Sequence, residues 1–560
     1  MRLVEIRELE GPNPYLPVPA IRIAIDISGD QVSEAWLDRI LAVPGGDAFA
    51  LPDVPPADER RQRAATVLAT AIQAVHALSS LDEPPTLAIE YGDEPEALSV
   101  SFPWGSRRIG LALAEAALAL TRHAAGERLG EADAARLDAI NESLYTGTAT
   151  DDAEDAPELV HVGDDGPKVI AITATNGKTT TTRLVSHLLR GAGSRVGWSS
   201  TAGVFVDGRP IVTGDWSGPA GARRLLSRKD LDWAVLETAR GGILRRGLAF
   251  DAAHVTAFIN VSADHLGDNG ITSLDTLAHV KGTVVRATRP DGWAILNADD
   301  PRVLAQRDNV PGSVCLTSLD AESAPIREHN SAGGRSVVVR DGAIVLIEPE
   351  GSTEIAPLAQ VPLTFNGAAR HMVENVLVAV GIALACGLAA EQIAPGLASF
   401  VSDATLNPGR LNTYSVGETT VLADYAHNEA GLAELIALAR TLVRGEGRLW
   451  LVIASAGDRT DDTFRRLGRI AAEASDYVIP TDTRNYLRGR AEGEMPALMA
   501  EGIRAGGKEP FMTADDAITA IDHALGATRS GDVIAVMAVN DPDAVGQHLG
   551  RLAGTSSASE

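Results

Sequence analysis

Residues 169–189 read VIAITATNGKTTTTRLVSHLL, and no other stretch of the 560-residue chain restricts the fold as tightly. The run 169–172 has the length and β-branching of a buried strand. The turn Thr173-Ala174-Thr175-Asn176-Gly177 follows, then Lys178 and four threonines. Leu184, Val185, Leu188 and Leu189 lie at i, i+1, i+4 and i+5, the apolar stripe of a helix that Gly191 and Gly193 stop. Strand, glycine turn and helix in that order make a phosphate-binding loop. The unpaired N–H groups and dipole of the helix start face an anion, Lys178 adds a point charge, and Thr179 offers a hydroxyl to Mg²⁺. Gly-Lys-Thr triplets also occur by chance in turns, so the flanking strand and helix carry this reading. The nucleotide-binding residues expected here are Thr175, Asn176, Gly177, Lys178, Thr179 and Thr180.

A chain of this length accommodates about three or four domains. Hydrophobic residues make up 45% and charged residues 22%, the balance of a soluble globular enzyme. The formal net charge of -26 argues against nucleic acid as a partner, and aromatics at 4% offer little for base stacking. Cys315 and Cys386 form no motif, so a reduced cytoplasmic protein is expected. The opening MRLVEIRELEG, with two arginines and three glutamates, is no signal peptide. The most apolar run, 376–390, is too short to cross a bilayer and reads as a core helix; no membrane partner is expected.

The organisation expected is α/β. A small α+β domain occupies 1–150: isoleucines 21, 23, 25 and 27 alternate as on a half-buried strand, TLAIEYG and LSVSFPW add two strands, and 58–81 and 106–126 read as alanine-rich helices. His76 and His123 lie within those helical patterns and carry no expected chemistry. Residues 151–166, rich in Asp, Glu, Gly and Pro, read as an exposed linker. From 167 to 402 strands and helices alternate, which predicts a mostly parallel sheet; 403–560 forms a third, α/β block with a disordered tail, GTSSASE. The strand at 233–236 ends in Glu237, a carboxylate placed to hold Mg²⁺ beside the phosphate loop. VVVRDGAIVLIE reads as a hairpin with Asp341-Gly342 at its tip.

The phosphate loop resembles the shortened GTNGKTT loop of the Mur ligase superfamily, ATP-dependent enzymes that join an amino acid to a carboxylate. Residue 172 is Ile where the common Walker form has Gly, and Ala174 replaces the family's first glycine, which requires a negative φ there. LETARGGILR at 236–245 and the stretch from VSADHLG at 261 to Lys281 resemble phrases of the cyanophycin synthetases within that superfamily. So does RLVEIRELEGPNPY at the head, the start of a domain thought in that family to hold the growing polymer. An ATP-grasp domain that those enzymes carry between the two has no room here.

The resemblance implies roles residue by residue. Lys178, Glu237, His265, Lys281 and Arg410 would be catalytic, with Thr179, Glu237, His265 and Lys281 around Mg²⁺ and Asn260 and Asp264 positioning the loop. Lys281 matches a lysine that many Mur ligases carbamylate, while His254 and His279 match nothing. ILNADDP at 295–301 resembles the family's strand-end nucleotide-domain signature. His371 and Asn375 would lie by the adenine; Pro408-Gly409-Arg410 resembles the hinge whose arginine reaches the ATP phosphates; Asp424 and His427 match DYAH, whose aspartate touches the ribose. Ser455 and Asp458 lie at the lip of a strand, and Arg484, Arg488, Arg490 and Glu494 are candidates for recognising the incoming amino acid, against the plain reading of a solvated charged loop.

The activity implied is an ADP-forming acid–amino-acid ligase using ATP and Mg²⁺ on an amino acid and a carboxylate, peptide or amino-acid polymer, as a homo-oligomer. Two rivals stay open: a peptidoglycan-precursor or folylpolyglutamate-type ligase, and a catalytically inactive module that binds ATP or polymer.

Overall fold

The computed structural model describes residues 1–28, 34–41, 59–78, 85–125, 156–163, 165–264, 266–267 and 270–556. His265 and residues 151–155 and 164 of the stretch expected as a linker lie outside them. Three separate sheets organise the described residues.

The first is antiparallel, with order β1-β2-β4-β3, from β1 (Arg2–Leu9), β2 (Ala20–Asp26), β3 (Ala88–Tyr91) and β4 (Ala97–Pro103). Ile21, Ile23, Ile25 and Ile27 alternate onto one face, as their spacing predicts, and bury against helices α1 (Glu59–Leu78) and α2 (Arg107–Ala124).

The second sheet has eleven strands: β5 (Lys168–Thr173), β6 (Val196–Ser200), β7 (Gly203–Val206), β8 (Arg209–Thr213), β9 (Trp233–Glu237), β10 (Ala253–Phe258), β11 (Thr288–Asn297), β12 (Ser313–Ser318), β13 (Arg335–Arg340), β14 (Ala343–Glu348) and β15 (Gly351–Pro357). Their order is β15-β14-β13-β12-β11-β10-β5-β9-β6-β7-β8. The run from β13 to β6 is parallel, and antiparallel strands close both ends. Successive β5 residues enter different cores, Ile170 and Ile172 on one side and Val169 and Ala171 on the other, so the strand is covered on both faces. Helices α3 (Lys178–Gly191) and α6 (Arg370–Ala385) cover the first side; α4 (Arg240–Arg246) and α5 (Leu274–Arg286) cover the second. Register brings Ile172 level with Glu237 and Thr173 level with Phe258, so three strand ends open at one edge. The expected hairpin joins β13 to β14, with Asp341 and Gly342 both at positive φ.

The third sheet, order β16-β17-β20-β18-β19, is formed by β16 (Asn412–Val416), β17 (Thr419–Asp424), β18 (Leu449–Ile453), β19 (Tyr477–Pro480) and β20 (Val533–Met537). Only β16 runs antiparallel. Helices α7 (Glu429–Leu442) and α8 (Glu494–Ala505) flank it, and its core is continuous with that around α6. Two expectations change. Val160, inside the supposed linker, bridges to Phe250, and the tail remains helical as far as Ser556. Among the described residues no helix is long and apolar enough to cross a membrane.

Candidate active site

The loop after β5 is built against its neighbours. Gly177 caps α3 at φ 93°, and a Cβ there would stand 2.1 Å from Asn375 Oδ1, so conformation and space both demand glycine. Asn375 itself, on α6, is only 2% exposed and lies directly against the phosphate loop. Ala174 keeps a negative φ, as its side chain requires. Asn260, just beyond β10, holds the turn with both ends of its amide. Its Oδ1 accepts from the amides of Thr175 (3.2 Å) and Asn176 (3.0 Å), and its Nδ2 donates to the Asn176 carbonyl (3.1 Å).

Two lysines meet beneath this turn. Lys178 Nζ donates to the carbonyls of Ala174 (3.0 Å) and Thr175 (2.9 Å), and Lys281 Nζ donates to the same Ala174 oxygen at 2.7 Å. Lys281 is 4% exposed, so it is not an ordinary surface lysine. Burial lowers the pKa of both amines; Glu237 opposes the shift at Lys178, while the Lys178 charge deepens it at Lys281.

Beside the lysines is an oxygen-lined niche. Thr179 Oγ1 donates to Glu237 Oε2 at 2.9 Å and lies 3.1 Å from Thr201 Oγ1; the Thr201 amide reaches the same carboxylate oxygen at 3.3 Å. A carboxylate and two hydroxyls at a helix start are hard donors suited to Mg²⁺ with phosphate oxygens and water completing its shell. The residues therefore fit the ion that the sequence implies. Thr180, on the same first turn, is buried.

The third block closes over this edge. Arg410 NH2 donates to Thr179 Oγ1 at 3.4 Å, with its guanidinium 4.6 Å above the Tyr425 ring. Arg183 on α3 donates to Asn407 Oδ1 (3.2 Å) and the Pro408 carbonyl (3.1 Å), tying the hinge to the helix. Asp424 Oδ2 accepts from the amide of Leu411, a residue at φ 49°, so this carboxylate supports the hinge turn. Asn176 and Asn428 exchange amide hydrogen bonds at 3.3 and 3.2 Å, and Asn428 also N-caps α7 through the Gly431 amide. Asp264 meets Arg459 at 2.7 Å and His427 at 3.6 Å. Ser455 Oγ donates to the His427 carbonyl, and Asp458 lies 3.3 Å from Arg459. His371 Nδ1 lies 3.1 Å from Glu434 across the cleft.

The four candidates for acceptor recognition separate. Arg484 makes an exposed pair with Asp515 at 3.3 Å, and Arg488, at φ 51°, stacks over Tyr486. Arg490 and Glu494 bind each other at 2.5 Å, and Arg490 also donates to Asp461 and to the carbonyls of Gly457 and Arg459. This pair therefore props the loop after β18. Sequence reasoning missed Thr201, Arg183, Asn428 and Arg459. For Asn428 the signal was present, an N-cap residue directly after DYAH and before an apolar helix.

Two family models match the chain: Mur ligase middle domain over residues 172–383, and Mur ligase, glutamate ligase domain over 409–540. A cyanophycin synthetase of Crocosphaera subtropica is 37% identical over 369 residues, 66% of this chain and 42% of that protein. A UDP-N-acetylmuramyl-tripeptide synthetase of Deinococcus radiodurans is 29% identical, over 66% of this chain and 72% of that one. The chain thus spans about two fifths of the length of its cyanophycin synthetase relative. Among solved structures, a bifunctional folylpolyglutamate synthase/dihydrofolate synthase with Mn, AMPPNP and L-glutamate bound has the same fold. Its TM-score is 0.52 at 18% identity, covering 69% of this chain and 90% of that one.

Proposed function

The chain belongs to the Mur ligase family, and from that premise we propose that it is an ATP-dependent, ADP-forming ligase joining an amino acid to a carboxylate. The observation that carries the reading is the contact of Arg410, from the third block, with Thr179 in the first turn after the phosphate loop. Two blocks converge there on one hydroxyl that also meets Glu237. Such a site grips the β- and γ-phosphates, which selects ADP over AMP as product.

Lys178 leaves the loop carbonyls to meet the γ-phosphate, and Arg410 faces it from the other side of the cleft. Together they neutralise charge as the substrate carboxylate attacks phosphorus, giving an acyl phosphate and ADP. The incoming amine then attacks the acyl carbon and phosphate leaves. Mg²⁺ held by Thr179 and Glu237 supplies further charge neutralisation when bound, and His265 and Lys281 are the residues expected at a second ion. Closure of the third block keeps water from the acyl phosphate.

The substrate class nearest to hand is an amino-acid polymer of the cyanophycin kind, with arginine or another basic amino acid as the amine. Support comes from the identity of the longer cyanophycin synthetase relative and from the N-terminal phrase RLVEIRELEGPNPY. The test is to incubate the full chain with ATP, Mg²⁺ and a panel of amino acids and acidic peptides, and to measure ADP and phosphate. Substrate-dependent ADP equal to amide formed, abolished by Lys178→Ala in a folded protein, is the expected result. AMP as the stoichiometric product, or no dependence on any acceptor, overturns the reading.

A further inference from the structure

Residues 7–16, the end of β1 and the segment that follows it, run across the middle block as a strap. The Glu10 amide donates to the Arg246 carbonyl at 2.8 Å, the Leu248 amide donates to the Pro12 carbonyl at 2.8 Å, and Arg7 NH1 reaches the Leu244 carbonyl at 2.9 Å. The Glu10 carboxylate lies between Arg223 and Arg246. Gly11 is required by closeness, since a Cβ there would stand 2.0 Å from the Leu248 carbonyl oxygen. Asn13 folds the strap on itself, accepting from the amides of Tyr15 and Leu16 and donating to the carbonyls of Gly11 and Val18. Apart from Arg223, which lies in the helix Pro219–Leu226, these middle-block contacts fall at the C-terminal end of α4, which starts three residues after Glu237.

The same block holds α5. Asp93, in the turn between β3 and β4, accepts from the amides of Thr272 (2.6 Å) and Ser273 (3.0 Å) and from Thr276 Oγ1 (2.7 Å). Ser273 is the N-cap of α5 and Asp275 stands in its first turn, so Asp93 adds a second, inter-block anion to a helix start that attracts negative charge. Two turns along, His279 Nε2 lies 2.9 Å from the Pro14 carbonyl, and Lys281 follows two residues later. Contacts to helix ends fix a helix along its axis in a way that lateral apolar packing does not, and these are directional polar bonds.

We propose that the N-terminal block is a positioning device for the active site: the strap 7–16 and Asp93 fix the ends of the two helices that follow Glu237 and that carry Lys281. Asp93 is a positioning residue that acts through α5. This rests on the ligase reading for its catalytic consequence, while the mechanical part stands by itself.

The test uses the full chain and the variants Asp93→Ala and Asp93→Glu. Without any ligand, amide hydrogen exchange in 272–281 should quicken at least about tenfold in Asp93→Ala, with β5 amides unchanged and Asp93→Glu close to the parent. In turnover, Asp93→Ala should lower kcat about tenfold and leave the KM for ATP within about twofold, because Asn260 braces the phosphate loop separately. Unchanged exchange at 272–281, or equal acceleration in β5, overturns the proposal. A local change in exchange with unaltered kcat overturns its catalytic part. Local acceleration in a chain whose parent shows no turnover with any acceptor supports the clamp and sinks the ligase reading alone.

Discussion

The ion pair between Asp264 and Arg459 offers the sharpest test of how the third block is held over the phosphate loop. The charges lie 2.7 Å apart, with side chains 11% and 8% exposed, and they come from opposite sides of the cleft. Removing one partner of a buried pair costs about 3–5 kcal/mol, because a desolvated charge is left alone. Here the block can open and rehydrate the survivor, and His427 lies 3.6 Å from the same carboxylate, so a cost below that scale applies. About 2–3 kcal/mol corresponds to a closed-to-open ratio reduced roughly 30- to 160-fold. Arg459→Ala should therefore shift an inter-block dye distance toward the open form and lower kcat by a comparable factor wherever closure limits turnover. The charge-exchanged protein, Asp264→Arg with Arg459→Asp, should regain part of the closed population. A double-mutant coupling below about 0.5 kcal/mol, or an unaltered distance distribution in Arg459→Ala, would refute the latch.

Three further outcomes are expected. Asn428→Asp keeps the N-cap of α7 and removes the amide donor to Asn176, so thermal stability should stay within about 0.5 kcal/mol while the KM for ATP rises; a large loss of stability instead contradicts the division of roles. Lys281→Ala should lose most activity, Lys281→Arg should not restore it, and a short added carboxylic acid should restore part if the lysine works as a carbamate; normal turnover by Lys281→Arg sinks that idea. Burial, followed by Asp299 and Glu434, pushes the Glu374 carboxyl up to about 7 from 4.5, so the folded form binds its proton more tightly than the unfolded chain. That contribution is full below about pH 4.5 and is lost as pH rises through about 7, a span of at most about 3 kcal/mol. Glu374→Gln should flatten the dependence of Tm on pH between 5 and 8, and an unchanged slope speaks against this environment.

The loop, its strand and its helix were legible in the sequence because everything that specifies them is local. Val169 to Ile172 need only be apolar and branched, and Gly177 only to precede a helix. Glu237 was legible because the end of a parallel strand has a fixed place relative to its neighbour, here level with Ile172. Asp93 and Arg459 were not, since their partners are 179 and 195 residues away and nothing in either neighbourhood encodes the pairing. The acceptor cluster divides for the complementary reason. Arg490 lies four residues before Glu494, the first residue of α8, close enough for the two charges to meet, and the pair is its own first partner.

Lys178 and Lys281 show how local and distant information combine into chemistry. Each lysine was readable alone, one from the loop and one from its place after HLG, yet their shared acceptor was not, because it is a backbone oxygen. Two full positive charges on the Ala174 carbonyl oppose each other in a setting that burial has stripped of water, so one amine is driven toward its neutral form. Lys178 has Glu237 to favour its charge, and Lys281 has the Lys178 charge against it, with Asp264 opposing; of the two amines Lys281 is pushed further down. A neutral amine is what CO₂ adds to. The resulting anion would turn mutual repulsion under the loop into attraction, and leave Lys178 charged for the phosphate.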